Sequence, residues 1–193
     1  MNALKYIATL FLMLTITVSM GQKCKYSSKQ TRRANKHFKN EKIIEATKLK
    51  PLFSKFSQAA SANFAKSAEN YYLSLVLVRE LGRRIDVMED NPLVVRFQNG
   101  ETIILYPDRT LLGKFTIPVT TEINKPFYSV NAQQLQLFSE QPIAYVKVYF
   151  SSDKVAESKL GRDDMGTFFD YEILNKKLQA SLMEPAKCIM NPS

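Results

Sequence analysis

The chain has 193 residues and a formal net charge of +9, with 12 Phe, 9 Tyr and no Trp. This length suffices for one hydrophobic core of ordinary size, and the composition excludes a collagen-like or low-complexity chain. Residues 22–50 carry ten Lys or Arg against two Glu, whereas residues 70–193 carry 14 Lys or Arg against 15 Asp or Glu. The positive charge therefore belongs to one N-terminal segment.

The N-terminus has the pattern of a signal peptide. Lys5 supplies a positive charge, residues 7–18 form an apolar run, and Ser19 and Gly21 are small residues at the positions that a signal peptidase reads. We predict a signal peptide over residues 1–21 with cleavage before Gln22, and hence a periplasmic or secreted protein. An uncleaved membrane anchor is the alternative, but 12 apolar residues are short against the roughly 20 that span a bilayer.

The only two cysteines, Cys24 and Cys188, lie at opposite ends of the mature chain. Export to an oxidising compartment permits a disulfide between them, which would tie the termini together. Two unpaired thiols remain the alternative. Lipidation of Cys24 is disfavoured because Gln22 and Lys23 precede it, where a lipid-attachment motif has small residues.

Residues 22–50 are predicted to form a basic arm in front of the domain. Residues 22–40 are polar and lack periodicity, which is typical of an extended or mobile segment, and residues 41–48 contain Ile43 and Ile44, which favour a short edge strand. An exported protein rarely meets nucleic acid, so the expected partner is an anionic envelope lipid or glycan. The predicted anionic-surface contacts are Arg32, Arg33, Lys36 and Lys39. Simple solvation of these charges is the alternative.

The domain is predicted to occupy residues 51–193, with residues 51–69 as a helix or linker leading into it. Leu52, Phe53, Phe56, Ala60 and Phe64 recur at steps of mostly three or four residues, as on one face of a helix. The helix is expected to lie on the domain. A membrane-surface helix, with Lys55 and Lys66 on its polar side, is the sharper alternative.

The clearest structural signal is a β-hairpin over residues 93–106. Asn99 and Gly100 separate two runs rich in β-branched and aromatic residues, and this pair favours a two-residue type I′ turn. That turn would place Val95 opposite Ile104. Both faces of the hairpin are largely apolar, which predicts a sheet covered at least partly on both sides.

Further strands are predicted at residues 70–79, 111–123, 143–150 and 167–173. Asn131 and Gln134 have the spacing of a capping box and predict a helix that ends at residue 140. A final helix is expected to start at Asn175 and to end at Pro185. The resulting class is α+β, a largely antiparallel sheet of about six strands with two or three helices on one face.

These segments resemble a group of small exported bacterial proteins of unknown function. The resemblance lies in KCKY at residues 23–26, YYLSLVLVR, VVRFQNGETIILYP, SVNAQQLQLFSE, IAYVKVYF and AKCI at residues 186–189. It covers most of the mature chain and concerns the fold, and it implies no known chemistry.

No catalytic, cofactor-binding or metal residues are predicted. The single histidine, His37, lies in the arm, where it is expected to be solvated and poorly held for general-base catalysis. One His and two distant Cys do not suit a zinc site. The acidic residues of one polar region lack the alternating spacing of a calcium loop and are interpreted as a solvated loop, with weak calcium binding as the alternative. They are Asp153, Glu157, Asp163, Asp164 and Asp170.

The favoured function is a non-enzymatic, envelope-associated binding or interaction domain that contacts an anionic lipid, a glycan or another envelope protein. A hydrolase that acts on envelope or imported polymers through unidentified carboxylates is the first alternative. The second is a structural subunit that uses an exposed sheet edge.

Overall fold

A computed structural model describes residues 24–55, 58–80, 85–116, 121–151 and 168–191. Within these ranges it has four helices: α1 (Ser28–His37), α2 (Ala132–Glu140), α3 (Lys176–Gln179) and α4 (Met183–Met190). Its eleven strands are β1 (Glu45–Ala46), β2 (Lys50–Lys55), β3 (Gln58–Lys66), β4 (Tyr71–Glu80), β5 (Leu93–Phe97), β6 (Thr102–Leu105), β7 (Lys114–Thr116), β8 (Thr121–Asn124), β9 (Phe127–Val130), β10 (Ile143–Tyr149) and β11 (Phe168–Glu172). The predicted signal peptide, its cleavage site and the acidic residues 153–164 lie outside the described residues.

The described strands form two antiparallel sheets. The first has seven strands, in the order β1-β3-β4-β8-β7, with β2 also paired to β3 and β9 also paired to β4. The second has four strands in the order β11-β10-β5-β6. The α+β class and the antiparallel pairing are confirmed, and the described strands are more numerous than the six or so that the sequence indicated.

One large core lies between the two sheets. Leu73 and Leu75 of β4 pack in the same buried cluster as Val95 of β5 and Val146 of β10. Helix α2 closes this core through Phe138, whose ring centroid lies 5.3 Å from that of Phe64 in β3. Helix α4 packs against α2 and β3. These two helices therefore share one side of the first sheet.

Helix α1 covers the opposite face of the first sheet. A second buried cluster contains Ala34 and Phe38 from the helix end together with Ala65, Tyr72 and Phe127 from the strands. Ala65 and Phe64 are neighbours in β3, and successive side chains of a strand point to opposite faces. The helices thus lie on both faces of this sheet rather than on one.

Residues 22–40 were predicted to be an extended or mobile arm. This prediction is wrong, because residues 28–37 within this segment form helix α1. Ser27 caps α1 by accepting a hydrogen bond from the Gln30 amide at 3.4 Å. The segment before the helix is anchored, since the Ser27 amide donates to the Ala46 carbonyl at 2.8 Å. The predicted edge strand is confirmed as β1, which pairs with β3.

The helix predicted for residues 51–69 is also wrong, because this stretch forms β2 and β3. The buried residues Ala60, Ala62 and Phe64 alternate along β3. A spacing of four residues places side chains on one face of a helix. It also places them on one face of a strand, because four residues are two repeats of the two-residue alternation of a strand. The apolar pattern alone did not separate the two structures.

The β5–β6 hairpin is confirmed, but its turn and register differ from the prediction. Val95 pairs with Ile103 rather than Ile104. The Gly100 amide donates to the Phe97 carbonyl at 3.1 Å, and Gly100 has φ +89°. This geometry fits a three-residue turn with a glycine bulge. One face of the hairpin remains open, since Ile104 is 53% exposed.

Some of the other predicted elements are confirmed, and others differ in the structure. The strands at β4, β10 and β11 and the Asn131–Gln134 capping box are confirmed. The single strand predicted for residues 111–123 is instead the paired strands β7 and β8. Pro185 does not end the last helix, because it lies in the first turn of α4, where proline is tolerated.

Candidate functional site

Helix α1 presents four basic side chains at helical spacing. Lys29, Arg32, Arg33 and Lys36 occupy positions i, i+3, i+4 and i+7, which places them along one side of a helix. Ala34 and Phe38 form the buried stripe that holds the helix on the sheet. Docking of α1 therefore fixes a row of cations beside the face of the first sheet on which this helix lies.

Arg33 is the innermost of these cations. Its guanidinium donates to Asn63 Oδ1 of β3 at 3.2 Å and to Ser74 Oγ of β4. It also lies over the ring of Phe127, with its central carbon 5.3 Å from the ring centroid. Burial lowers the pKa of Arg33 to about 10. Its Nε is buried and makes no hydrogen bond within the described residues.

Two adjoining cavities lie on either side of Arg33. The first has a volume of about 370 Å³ and is lined by Lys29, Gln30, Arg32, Arg33, Lys36, Leu49, Val76 and Lys125. The second has a volume of about 390 Å³ and is lined by Arg33, Lys36, His37, Leu111, Leu112, Lys114, Ile123, Asn124, Lys125 and Phe127. Both share Arg33, Lys36 and Lys125. We call the two together the cationic cleft.

The cleft has a strongly one-sided charge. Lys125, in the loop between β8 and β9, has a pKa lowered by burial and by the charges of Arg33, Lys29 and Lys114. Among the described residues, neither lining includes Asp or Glu. The cations therefore repel one another across the cleft, and an anion between them would relieve that repulsion.

His37 holds the end of α1 at the rim of the second cavity. Its Nε2 lies 2.8 Å from both carboxylate oxygens of Asp108, which follows β6. Its ring packs on Phe127 with centroids 4.5 Å apart. Asp108 is also in contact with Arg109 at 3.1 Å. The prediction of a solvated histidine is therefore wrong, and the contact is structural.

Three of the four predicted contact residues meet in the cleft. Arg32, Arg33 and Lys36 line it, whereas Lys39 is exposed beyond the end of the helix and lines neither cavity. The sequence interpretation missed Lys29, Lys114 and Lys125. Lys29 has a sequence signal in its helical spacing from Lys36. Lys114 and Lys125 reach the cleft through the β7–β8 pairing and carry no local signal.

The predicted cysteine pair is close in space. Cys24 and Cys188 lie within disulfide distance, with Cα atoms 5.5 Å apart. The hydroxyl of Tyr26 donates to the Cys188 carbonyl at 3.0 Å, which adds a second link between the N-terminal segment and α4.

Two classes of feature are not found in the part of the chain that the structure describes. It contains no group of three or more His, Cys, Asp or Glu residues arranged to hold a metal ion. None of its helices combines the length and the apolar character needed to cross a membrane.

Comparison with known proteins does not assign this chain to a family. No protein-family model matches the chain, and no curated protein and no solved structure is detectably similar to it. The resemblance to small exported bacterial proteins therefore stays a prediction.

Proposed function

We propose that this protein is an exported, non-enzymatic binding domain that holds an anionic ligand in the cationic cleft. The observation that carries the proposal is Arg33, a partly buried guanidinium whose hydrogen-bond partners are neutral and whose buried Nε has none among the described residues. Buried charges are normally paired with an opposite charge. An anion at this point would supply the missing partner.

The surroundings of Arg33 support the same ligand chemistry. Its planar guanidinium suits carboxylate and phosphate oxygens, which it can contact through two parallel hydrogen bonds. Lys36 and Lys125 line both cavities beside it and add two further donors. An anionic lipid or glycan of the cell envelope has this chemistry. The proposed contact with the anion is therefore the cationic cleft, and not the mobile arm predicted from the sequence.

The carboxylate-based hydrolase is not favoured by this cleft. Within the described residues its walls carry cations, amides and apolar side chains, and no carboxylate that would act as a general acid or a nucleophile. No observation in the described residues favours the sheet-edge alternative over the cleft.

Export is supported by the sequence of residues 1–21 and by the cysteine pair at disulfide distance, because disulfides persist in oxidising compartments. We expect protein purified from its native host to begin at Gln22. N-terminal mass spectrometry checks this, and an intact Met1 or a lipid on Cys24 would contradict it.

The binding proposal is tested by titrating the disulfide-bonded protein with inorganic phosphate and following backbone amide shifts by NMR. We expect the shifts to concentrate around Arg33, Ser74 and Lys125. Lys36→Gln should weaken phosphate binding about tenfold, the equivalent of 1.4 kcal/mol, because it removes a charged donor from both cavities.

Lys39→Gln is the matched control. It removes the same charge three residues along the chain, but from a side chain that lines neither cavity. Phosphate binding by this variant should stay within about twofold of the unaltered protein, as expected for a screened surface charge. Equal weakening by both substitutions would mean diffuse charge attraction, and the absence of any binding would overturn the proposal.

A further inference from the structure

The two cavities of the cleft differ in their walls. The first is bounded mainly by α1 cations and has two apolar contacts, Leu49 and Val76. The second has four apolar side chains in its lining, Leu111, Leu112, Ile123 and Phe127. The cations that both cavities share lie at their junction. Both cavities thus combine cations with apolar surface, and apolar side chains are more numerous in the lining of the second.

The apolar wall of the second cavity is incompletely covered by the protein. Leu112 is 59% exposed and Ile123 is half-buried, whereas Phe127 beside them is buried. Scattered exposed leucines are ordinary, but this one borders a concave cavity next to a buried aromatic ring. A ligand that covers the apolar surface of such a cavity gains affinity, because that surface is then removed from water.

We infer that the ligand of the cleft is an amphiphilic anion. Its phosphate or carboxylate group would lie at the junction, between Arg33, Lys36 and Lys125. Its apolar chain would lie in the second cavity, against Leu112, Ile123 and Phe127. This inference rests on the proposed anion-binding function and specifies the ligand class. The same chemistry occurs in a free alkyl phosphate or fatty acid and in an anionic membrane lipid.

The cations alone do not require this ligand, because a purely polar polyanion would also satisfy them. The two ligand classes differ in the second cavity. A polar ligand would leave Leu112 in water or would bury its own polar groups against Phe127, which is unfavourable. Each methylene buried there should instead raise the affinity roughly fourfold. The side-chain chemistry of this cavity therefore favours the amphiphile.

The test compares inorganic phosphate with decyl phosphate, the latter below its micelle-forming concentration, by isothermal titration calorimetry. We expect decyl phosphate to bind at least tenfold more tightly. Leu112→Ser should weaken decyl phosphate binding about threefold or more, and by a clearly larger factor than it changes phosphate binding. Leu174→Ser is the matched control, because Leu174 is 81% exposed and lines neither cavity.

The outcomes separate this inference from the proposed function. If Lys36→Gln weakens both probes but decyl phosphate binds no more tightly than phosphate, the cleft binds anions and the amphiphile inference is wrong. If Lys36→Gln weakens the binding of neither probe, the proposed anion-binding function is wrong, and the amphiphile inference that rests on it is wrong as well. A greater loss of decyl phosphate binding in Leu174→Ser than in Leu112→Ser would also overturn the inference.

A second arm distinguishes the two sources of the amphiphile. The same variants are sedimented with phosphatidylcholine vesicles that contain phosphatidylglycerol. Leu112-dependent sedimentation, in addition to decyl phosphate binding, would identify a lipid drawn from a bilayer. Decyl phosphate binding without vesicle binding would identify a free amphiphile. Vesicle binding that is unaffected by both Lys36→Gln and Leu112→Ser would count against the cleft as the lipid site.

Discussion

Arg33 is a charged side chain that is partly withdrawn from water, at a cost to the stability of the fold. Burial of a guanidinium is unfavourable, and the lowering of its pKa to about 10 expresses that cost. The side chain is nevertheless charged at neutral pH, because this pKa remains well above 7. Asn63, Ser74 and the Phe127 ring hold the guanidinium in place without neutralising it. Its charge therefore remains available to a ligand.

Gly100 contributes to stability through its backbone conformation alone. It has φ +89°, and a Cβ added to it would meet no atom within 4 Å. Replacement should therefore cost only the strain of the left-handed conformation. We expect Gly100→Val to lower the free energy of unfolding by roughly 1–2 kcal/mol, measured by chemical denaturation.

Gly100→Asn is the control for this prediction. Asn adopts positive φ more readily than other residues that have a Cβ, so its loss of stability should be clearly smaller than that of Val. Equal losses for Val and Asn would show that backbone conformation at residue 100 does not determine the stability of the hairpin.

At the scale of elements, the sequence predicts those with strong local signals. Strand β4 alternates clearly, and α2 begins with a capping box in which the Asn131 and Gln134 side chains bond each other's backbone amides at 2.8 and 3.0 Å. Such signals depend on neighbours in the chain. The register of the β5–β6 hairpin was missed because Asn-Gly suits both a two-residue turn and the longer turn with a glycine bulge.

Helix α1 lacks a strong local signal. Its buried stripe consists of Gln30, Ala34 and Phe38, of which only Phe38 is large and apolar. A helix of this composition is marginal alone and gains its stability by docking. The surface on which it docks includes Tyr72 and Phe127, far along the chain. The sequence pattern therefore did not separate this helix from a mobile arm.

Only some of the cations in the cleft were predicted from the sequence, because a sequence pattern detects residues that are close in the chain. The charges of Arg32, Arg33 and Lys36 are close in the sequence, so a local count of charges detects them. Lys114 and Lys125 join them only because β7 and β8 pair and place both residues beside the helix. Their contribution depends on contacts between distant segments, which a single sequence does not reveal.

At the scale of the whole molecule, the cysteine pair links two helical layers. Cys24 precedes α1 on one face of the first sheet, and Cys188 belongs to α4 on the other side. Lys50 and Glu184 form an ion pair of 3.6 Å close to this link. The connection therefore restrains both ends of the described chain relative to the sheet.

The link between the two cysteines should contribute substantially to the free energy of unfolding. The two cysteines are separated by 164 residues in the sequence. In the chain-entropy account, a closed loop of this length restricts the unfolded chain by an amount worth roughly 5 kcal/mol, and observed losses are commonly between about 2 and 5 kcal/mol. We expect the double variant Cys24→Ser, Cys188→Ser to lose stability within that range, measured by chemical denaturation under non-reducing conditions.

The same variant should keep its phosphate affinity within about twofold, a change of less than about 0.5 kcal/mol. Helix α1 is held by contacts that do not depend on the cysteines. The Asn35 side chain bonds the backbone of Ile43 at 2.8 and 3.0 Å, and His37 contacts Asp108. A large loss of stability with an intact cleft would show that the link acts on the unfolded chain. Loss of phosphate binding with unchanged stability would instead show that it positions α1, contrary to this prediction.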